Sequence, residues 1–343
     1  MKKFKHTPYG ISNCISDKIL SREWNYDLLR VFAIFQVVLQ HVAFRSGGLF
    51  AVSCFVFSKT TIPLFVMLSG AFIIADDKNG DYGLFFRTKT RKLIVTTLIW
   101  SIVYVTFTYV MLFYKSSESI SWHTLVSPLR FWVAGKPFYH LWFLYMFVGI
   151  YVVSPVFIWI KEKAGERNFA MASVVVALLM IPAGLFSNLM WVIKFVPYLG
   201  YFMLGYALRN YFTRKVSGVL LIAVAVLSLT LTVYMFWCHP WWLPHKVSSK
   251  LLSYQSVTIF LAAVCLFKFF GQLKVTGSEW LFKLSLHSFN VYLLHPLAIS
   301  VIVMSTPHGI LKNYPVMMIP LVTLVVMGIC YAVSIFFIRK RLL

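Results

Sequence analysis

Ten long apolar stretches constrain the fold of this chain more than any other feature. A run of about 18–25 apolar residues is long enough to cross a bilayer as a helix. Only 12% of the residues are charged, against about 25% in ordinary soluble chains. The sequence therefore predicts an all-α, polytopic membrane helix bundle with about ten transmembrane helices. The stretches lie near 27–44, 50–75, 93–114, 140–160, 170–187, 191–208, 217–237, 252–270, 281–304 and 315–338.

The basic residues alternate between successive loops. The chain has 32 Lys and Arg against 10 Asp and Glu, and with a cytoplasmic amino terminus 22 of the basic residues fall inside and 8 outside. This positive-inside pattern explains the charge without a nucleic-acid partner and predicts that both termini are cytoplasmic. The expected organisation is a basic cytoplasmic segment over 1–24, a transmembrane domain over 25–338 and a basic cytoplasmic tail over 339–343.

Arg30 and His41 stand out within the first apolar stretch. Eleven residues make three helical turns plus roughly 20°, so both side chains fall on one face, about 16 Å apart. Ionisable side chains within a membrane helix are costly and usually face a bundle interior or a wet cavity. Asp27, three residues before Arg30, can pair with it. That pair either anchors the depth of the helix or holds Arg30 toward the bundle interior, and the two roles are compatible.

Two further histidines occur at a similar predicted depth. His140 begins the fourth stretch, and His295 lies in the outer half of the ninth. A lone histidine at a membrane boundary is often only an interfacial residue, but imidazole also suits general-base activation of a hydroxyl. A three-histidine metal site is the competing interpretation. No HxxxH or HExxH spacing favours it, so we expect no metal.

Three other features have both a structural and a functional interpretation. Pro63 and the pair Ser69-Gly70 favour a bend or close helix packing, although the Ser69 hydroxyl could also line a cavity. The loop containing Arg87, Arg91 and Lys92 is either a topology signal or a site for the phosphates of acyl-CoA. An outer loop with Trp237, His239, Trp241, Trp242 and His245 either anchors the chain at the interface or holds a sugar.

Several of these motifs, in this order, resemble the integral-membrane acyltransferase family 3. The resemblance runs from about residue 24 to 338. It rests on Arg30-x10-His41, Pro-Leu-Phe-Val-Met-Leu-Ser-Gly (63–70), Arg87-x3-Arg91-Lys92, His-Leu-Trp-Phe-Leu…Ser-Pro (140–155), Tyr-Phe-Met-Leu-Gly-Tyr (201–206) and Ser-Phe-Asn-Val-Tyr-Leu-Leu-His-Pro (288–296).

The resemblance implies an enzyme that transfers an acyl group, most often acetyl from acetyl-CoA, to a hydroxyl of a cell-surface polysaccharide or its lipid-linked precursor. The chain looks most like the single-domain O-acetyltransferases of enterobacterial common antigen or O-antigen, which implies a bacterial inner-membrane location. In this interpretation Arg87, Arg91 and Lys92 bind the CoA phosphates, and Arg30, oriented by Asp27, lies on the acyl path. His41 is the general base, and His140 or His295 orients it or steadies the oxyanion.

The alternative function is a transporter or flippase that exports a lipid-linked glycan. Ion-coupled transporters usually carry Asp or Glu near the middle of the membrane. Here all ten acidic residues fall in loops or at the ends of stretches, which favours the enzyme.

Overall fold

The computed structural model describes residues 22–115, 122–183, 193–238, 250–306 and 309–339. Within these ranges the regular structure is helical, without a strand. Most of the predicted basic segment at 1–24, most of the tail at 339–343, and the loop residues His239, Trp241, Trp242 and His245 lie outside them.

Fourteen α-helices are described in these ranges, and we number them in chain order. They are α1 Trp24–Ala43, α2 Gly48–Phe57, α3 Thr61–Ile73, α4 Tyr82–Phe85, α5 Arg91–Lys115, α6 Trp122–Val133, α7 Trp142–Ala164, α8 Glu166–Ala183, α9 Leu199–Tyr206, α10 Gly218–Trp237, α11 Val257–Gln272, α12 Glu279–Ser305, α13 Ile310–Asn313 and α14 Pro315–Arg339. Short 3₁₀ or π turns join some of them, including Ser58–Thr60 between α2 and α3 and Phe86–Thr90 before α5.

The helical membrane bundle predicted from the sequence is confirmed. Seven helical segments among the described residues are long and apolar enough to cross a membrane: Trp24–Ala43, Gly48–Ile73, Tyr82–Tyr114, Trp142–Ala164, Gly218–Trp237, Glu279–Ser305 and Pro315–Phe336. The predicted stretches at 170–187, 191–208 and 252–270 correspond to α8, α9 and α11, which are shorter or less apolar. Ten crossings and cytoplasmic termini stay predictions.

Helix α1 lies in the centre of the bundle. About 61% of its most apolar window is buried by protein, against 22% for α10. It contacts α12, α14, α3 and α11, and Leu29, Ala33, Ile34 and Val38 are fully buried. A helix that is buried on nearly all sides faces protein rather than lipid. The polar residues of α1 therefore project into the bundle.

Two glycines allow α3 and α9 to pack with their backbones in contact. A Cβ built on Gly70 would lie 1.7 Å from the carbonyl oxygen of Phe202, and one on Gly205 would lie 2.0 Å from that of Met67. No larger residue fits at either position without moving a helix. The close helix approach predicted from Gly70 is confirmed, and small residues of this kind are the usual means of tight packing in membranes.

The second membrane segment is interrupted between α2 and α3. The fully buried side chain of Gln36 on α1 donates from Nε2 to the carbonyl oxygen of Phe57 (3.0 Å) and to Oγ1 of Thr60 (2.9 Å). Thr61 donates to Oε1 of the same amide at 3.3 Å. Because irregular backbone within a membrane requires such partners, Gln36 fixes the turn that carries Lys59.

Candidate active site

The structure brings His41, His140 and His295 into one cluster. The ring centroids of His41 and His295 lie 5.1 Å apart with the rings nearly parallel. The ring of His140 meets that of His295 edge-on at 5.3 Å. The three residues come from α1, from the turn before α7 and from α12, so the tertiary fold assembles the cluster. We call the end of the bundle that holds it the histidine end, and the opposite end the Asp27 end.

His295 is fully buried, and a backbone carbonyl fixes its tautomer. Pro296 has no N–H, so it leaves the carbonyl of Tyr292, four residues earlier, without its usual helical partner. The Nδ1 atom of His295 lies 2.7 Å from that oxygen. A carbonyl can only accept, so Nδ1 carries the hydrogen, and in the neutral ring Nε2 is left as an acceptor. Nε2 is buried and has no partner among the described residues.

His140 is also buried, with 3% of its surface exposed. The hydroxyl of Tyr292 donates to its backbone carbonyl at 2.7 Å, and the ring of Tyr104 packs edge-on against its ring at 4.7 Å. These contacts hold the turn, yet neither ring nitrogen has a hydrogen-bond partner in the described part of the chain. Leaving buried nitrogens without a partner is costly, which makes His140 a candidate for binding a ligand.

His41 lies where two cavities meet. The outer cavity has a volume of about 910 Å³, and its walls include Gln40, His41, Phe55 and Tyr139. The inner cavity has a volume of about 80 Å³ and shares Gln40, His41 and Tyr139 with the outer one. His140 lines only the inner cavity. A molecule entering from the histidine end therefore meets His41 before it meets His140.

Tyr139 packs against His41 with ring centroids 4.8 Å apart. Burial raises the pKa of its phenol to about 12, although the nearby Arg45 guanidinium acts in the opposite direction. The phenol is therefore neutral at any ordinary pH. Tyr139 can donate a hydrogen bond at this site but cannot serve as its base.

Asp27 and Arg30 belong to a separate polar cluster near the other end of α1. Asp27 is buried and accepts hydrogen bonds from Arg30 Nη1 (2.8 Å), from the hydroxyl of Ser285 (2.6 Å) and from Arg22. Arg30 Nη1 also lies 2.9 Å from the Ser285 hydroxyl. The pair predicted from the spacing exists and is tied to α12. Neither cavity reaches Arg30, which lies about 16 Å along the helix from His41.

Arg87, Arg91 and Lys92 lie apart from both clusters. Arg87 is in the π turn before α5, and Arg91 and Lys92 begin α5. All three are exposed. None forms an ion pair with a carboxylate among the described residues. They are accessible to a charged ligand at the Asp27 end, and their role stays a prediction.

Sequence reasoning gave no role to Lys59. Its Nζ lies 4.4 Å from the ring centroid of Phe55, in the wall of the outer cavity, and 4.7 Å from that of Tyr254, in the wall of the inner one. The sequence alone could have indicated a role for Lys59, because a lysine within an apolar stretch is costly and usually has a function. Ser69 lines neither cavity.

The part of the chain that the structure describes does not present a preformed metal centre. Among the described residues no group of three or more His, Cys, Asp or Glu side chains is arranged to hold a metal ion. The Nδ1 atom of His295 is occupied by the Tyr292 carbonyl.

Comparison with known proteins gives one match. A family model described as an acyltransferase domain matches residues 23–337. No curated protein and no solved structure matches the chain.

Proposed function

The chain belongs to this acyltransferase family, whose domain covers nearly its whole length, and from this premise we propose its donor, its acceptor and its site. The protein is a multi-pass membrane acyltransferase. We propose that it moves an acetyl group from acetyl-CoA to a hydroxyl of a cell-surface polysaccharide or of its lipid-linked precursor, with His41 as the base.

The observation that carries this proposal is the position of His41 between the two cavities. An acceptor that occupies the 910 Å³ cavity can bring a hydroxyl to His41. His295 stacks behind His41 and is fully buried, so it cannot meet the acceptor first. The neutral imidazole of His41 is the accessible group that can take a hydroxyl proton.

In the proposed reaction, His41 removes the proton from the acceptor hydroxyl as its oxygen attacks the thioester carbonyl carbon. The N–H of His140, which has no other partner among the described residues, donates to the oxyanion that develops. As the carbon–sulfur bond breaks, His41 returns the proton to the sulfur of the leaving thiolate. His295 is a positioning residue, since its tautomer is fixed and its ring packs on both other histidines.

The size of the inner cavity supports acetyl as the group transferred. Its volume of about 80 Å³ is small beside the 910 Å³ of the outer cavity. Phe65, Phe143 and Trp142 line it, so a longer acyl chain would require these rings to move. A two-carbon group fits beside His140.

For the donor, we assign the CoA phosphates to Arg87, Arg91 and Lys92, which are exposed at the Asp27 end. Planar guanidinium groups pair well with phosphate oxygens. Arg30, held by Asp27, would then lie on the path of the acyl group toward His41. This path of about 16 Å requires either that the pantetheine arm enters the bundle or that the acyl group is relayed.

The motifs that resemble the single-domain O-acetyltransferases support enterobacterial common antigen or O-antigen as the acceptor and the bacterial inner membrane as the location. The competing function is export of a lipid-linked glycan. A large outer cavity suits that function too. However, His140 is buried, and neither of its ring nitrogens has a partner in the described part of the chain, which favours a catalytic role over glycan export.

Ligand-induced thermal stabilisation of the purified protein tests the donor. We expect CoA and acetyl-CoA to stabilise the protein at micromolar concentrations, by about 2.7 kcal/mol at 100 times the Kd. Arg91→Ala should abolish the effect, whereas Arg214→Ala, at another exposed arginine, should preserve it. A well-folded sample that neither ligand stabilises would favour glycan export.

A further inference from the structure

The two ends of the bundle differ in how their cations are neutralised. Of the ten Asp and Glu in the sequence, Asp17 and Glu118 lie outside the described residues. The other eight lie in the terminal turns of helices or in the loops beside them, at the end opposite the histidines; they are Glu23, Asp27, Asp76, Asp77, Asp81, Glu162, Glu166 and Glu279. Every ion pair formed by the described residues lies at this Asp27 end.

At the histidine end, the described residues include cations that form no ion pair with a described carboxylate. Arg45, just after α1, and Lys312, within α13, both line the outer cavity. Lys59 lies between the walls of the two cavities, over the rings of Phe55 and Tyr254. In the described part of the chain none of the three pairs with a carboxylate.

Such a cavity favours an anion. Clefts lined by one sign of charge concentrate oppositely charged ligands and speed their association. Buried and half-buried cations are retained at a cost, which an anionic ligand offsets. Arg45 also suits planar recognition of a carboxylate or phosphate, because its guanidinium presents several donors in a fixed plane.

We infer that the acceptor carries an acidic group, a carboxylate or a phosphate, which binds Arg45 and Lys312 at the mouth of the outer cavity while a hydroxyl of the same molecule reaches His41. The acidic group orients the acceptor and does not react. Lys59, deeper in the wall, adds to the positive potential. This inference rests on the proposed function, since it assumes that the outer cavity holds the acceptor.

Three probes separate the acidic group from the rest of the sugar. They are a glucuronosyl-N-acetylglucosamine disaccharide, the same disaccharide with its carboxylate reduced to an alcohol, and N-acetylglucosamine 1-phosphate. Their dissociation constants are measured by quenching of tryptophan fluorescence, without donor, on the full-length protein in detergent. We expect at least one acidic probe to bind about ten-fold more tightly than the neutral disaccharide, with the advantage shrinking as salt is raised. Preference for the uronate or for the phosphate identifies the source of the charge.

Variants assign the effect to the cavity. Arg45→Gln and Lys312→Gln should each weaken binding of the acidic probe about three- to ten-fold and leave the neutral one unchanged. Lys163→Gln, which removes one exposed charge at the Asp27 end, should change neither. Because Lys312 is exposed, its substitution should not impair folding, which thermal unfolding checks.

Equal affinity for the acidic and neutral disaccharides, absence of binding of both acidic probes at millimolar concentration, or the same loss in Lys163→Gln would each overturn the inference. Failure of the proposed function has a different signature. In that case the charge preference persists, but CoA and acetyl-CoA do not stabilise the protein.

Discussion

Replacement of His41 by alanine should stop acyl transfer without unfolding the protein. A general base contributes about 10²–10⁴ to the rate, which corresponds to roughly 2.7–5.4 kcal/mol of transition-state stabilisation. We therefore expect kcat to fall by that factor in His41→Ala, with little change in the apparent affinity for acetyl-CoA, whose proposed phosphate site lies at the opposite end of the bundle.

The contacts of His41 also determine how much the His41→Ala substitution should lower the free energy of unfolding. The ring of His41 is partly exposed at the cavities and makes no hydrogen bond to any described residue. The substitution removes the contacts of this ring with Tyr139 and His295, whose ring centroids lie 4.8 Å and 5.1 Å from that of His41. Aromatic pairs of this kind contribute about 0.5–1.5 kcal/mol each, so the loss of two should lower the free energy of unfolding by about 1–3 kcal/mol.

Thiol release from acetyl-CoA, measured with and without an acceptor, reports the rate, and thermal unfolding in detergent reports the stability. His287→Gln is the matched control, because His287 lies on the same helix as His295 but bonds Ser334 at 2.7 Å and lines neither cavity. It should retain activity.

Added imidazole gives a second readout. The outer cavity opens onto His41, so free imidazole should partly restore activity to His41→Ala. It should fail to restore His295→Ala, whose site is fully buried. A His41→Ala protein that is folded and works within about three-fold of the wild-type rate would refute the assignment of the base, since removal of a base costs at least ~10².

Other substitutions test the remaining parts of the structure. Asp27→Asn leaves two arginines short of their counterion and should cost about 1–3 kcal/mol, below the ~3–5 of a fully buried pair because the arginines are partly exposed; thermal unfolding measures it. Phe65→Ala widens the inner cavity and should raise the use of propionyl-CoA relative to acetyl-CoA about ten-fold, because one methylene is worth ~1–3 kcal/mol in a fitted pocket; unchanged selectivity in competition assays would argue against the acyl site. Gly205→Ala forces a Cβ to within 2.0 Å of the Met67 carbonyl oxygen and should abolish folded expression, whereas Gly328→Ala, which meets nothing within 4 Å, should be tolerated. Tyr139→Phe should leave the alkaline side of the pH–rate profile unchanged up to pH 10, since the pKa of this phenol is raised to about 12; the loss of an inflection there would contradict a neutral phenol.

Much of the fold follows from the sequence, because length and apolarity are local properties. Among the described residues, every predicted stretch contains a helix, and Gly70 predicted a close helix contact, which the structure shows to be with α9. The lengths of α8, α9 and α11 were not predictable, since burial by neighbouring helices determines how much of a segment must be apolar. The pair of Asp27 and Arg30 was predictable from helical spacing alone.

The cluster of histidines was only partly predictable. Similar depth could be inferred from the positions of His41, His140 and His295 along their stretches, but contact between their rings depends on how α1, α7 and α12 are rotated. Likewise, the hydrogen bonds of Gln36 and the position of Lys59 near the cavities could not be predicted, because both depend on the interruption between α2 and α3. The roles of all these residues stay predictions.

The proline that follows His295 has a consequence for the movement of protons within the bundle. A histidine relays protons only if one ring nitrogen can accept a proton while the other releases one. Here the Nδ1 hydrogen points at a helical carbonyl, at 2.7 Å, which cannot pass it on. Protons can therefore enter and leave His295 only through Nε2, on the side of the other histidines. The histidine cluster can therefore titrate deep in the bundle without His295 relaying protons toward Arg30.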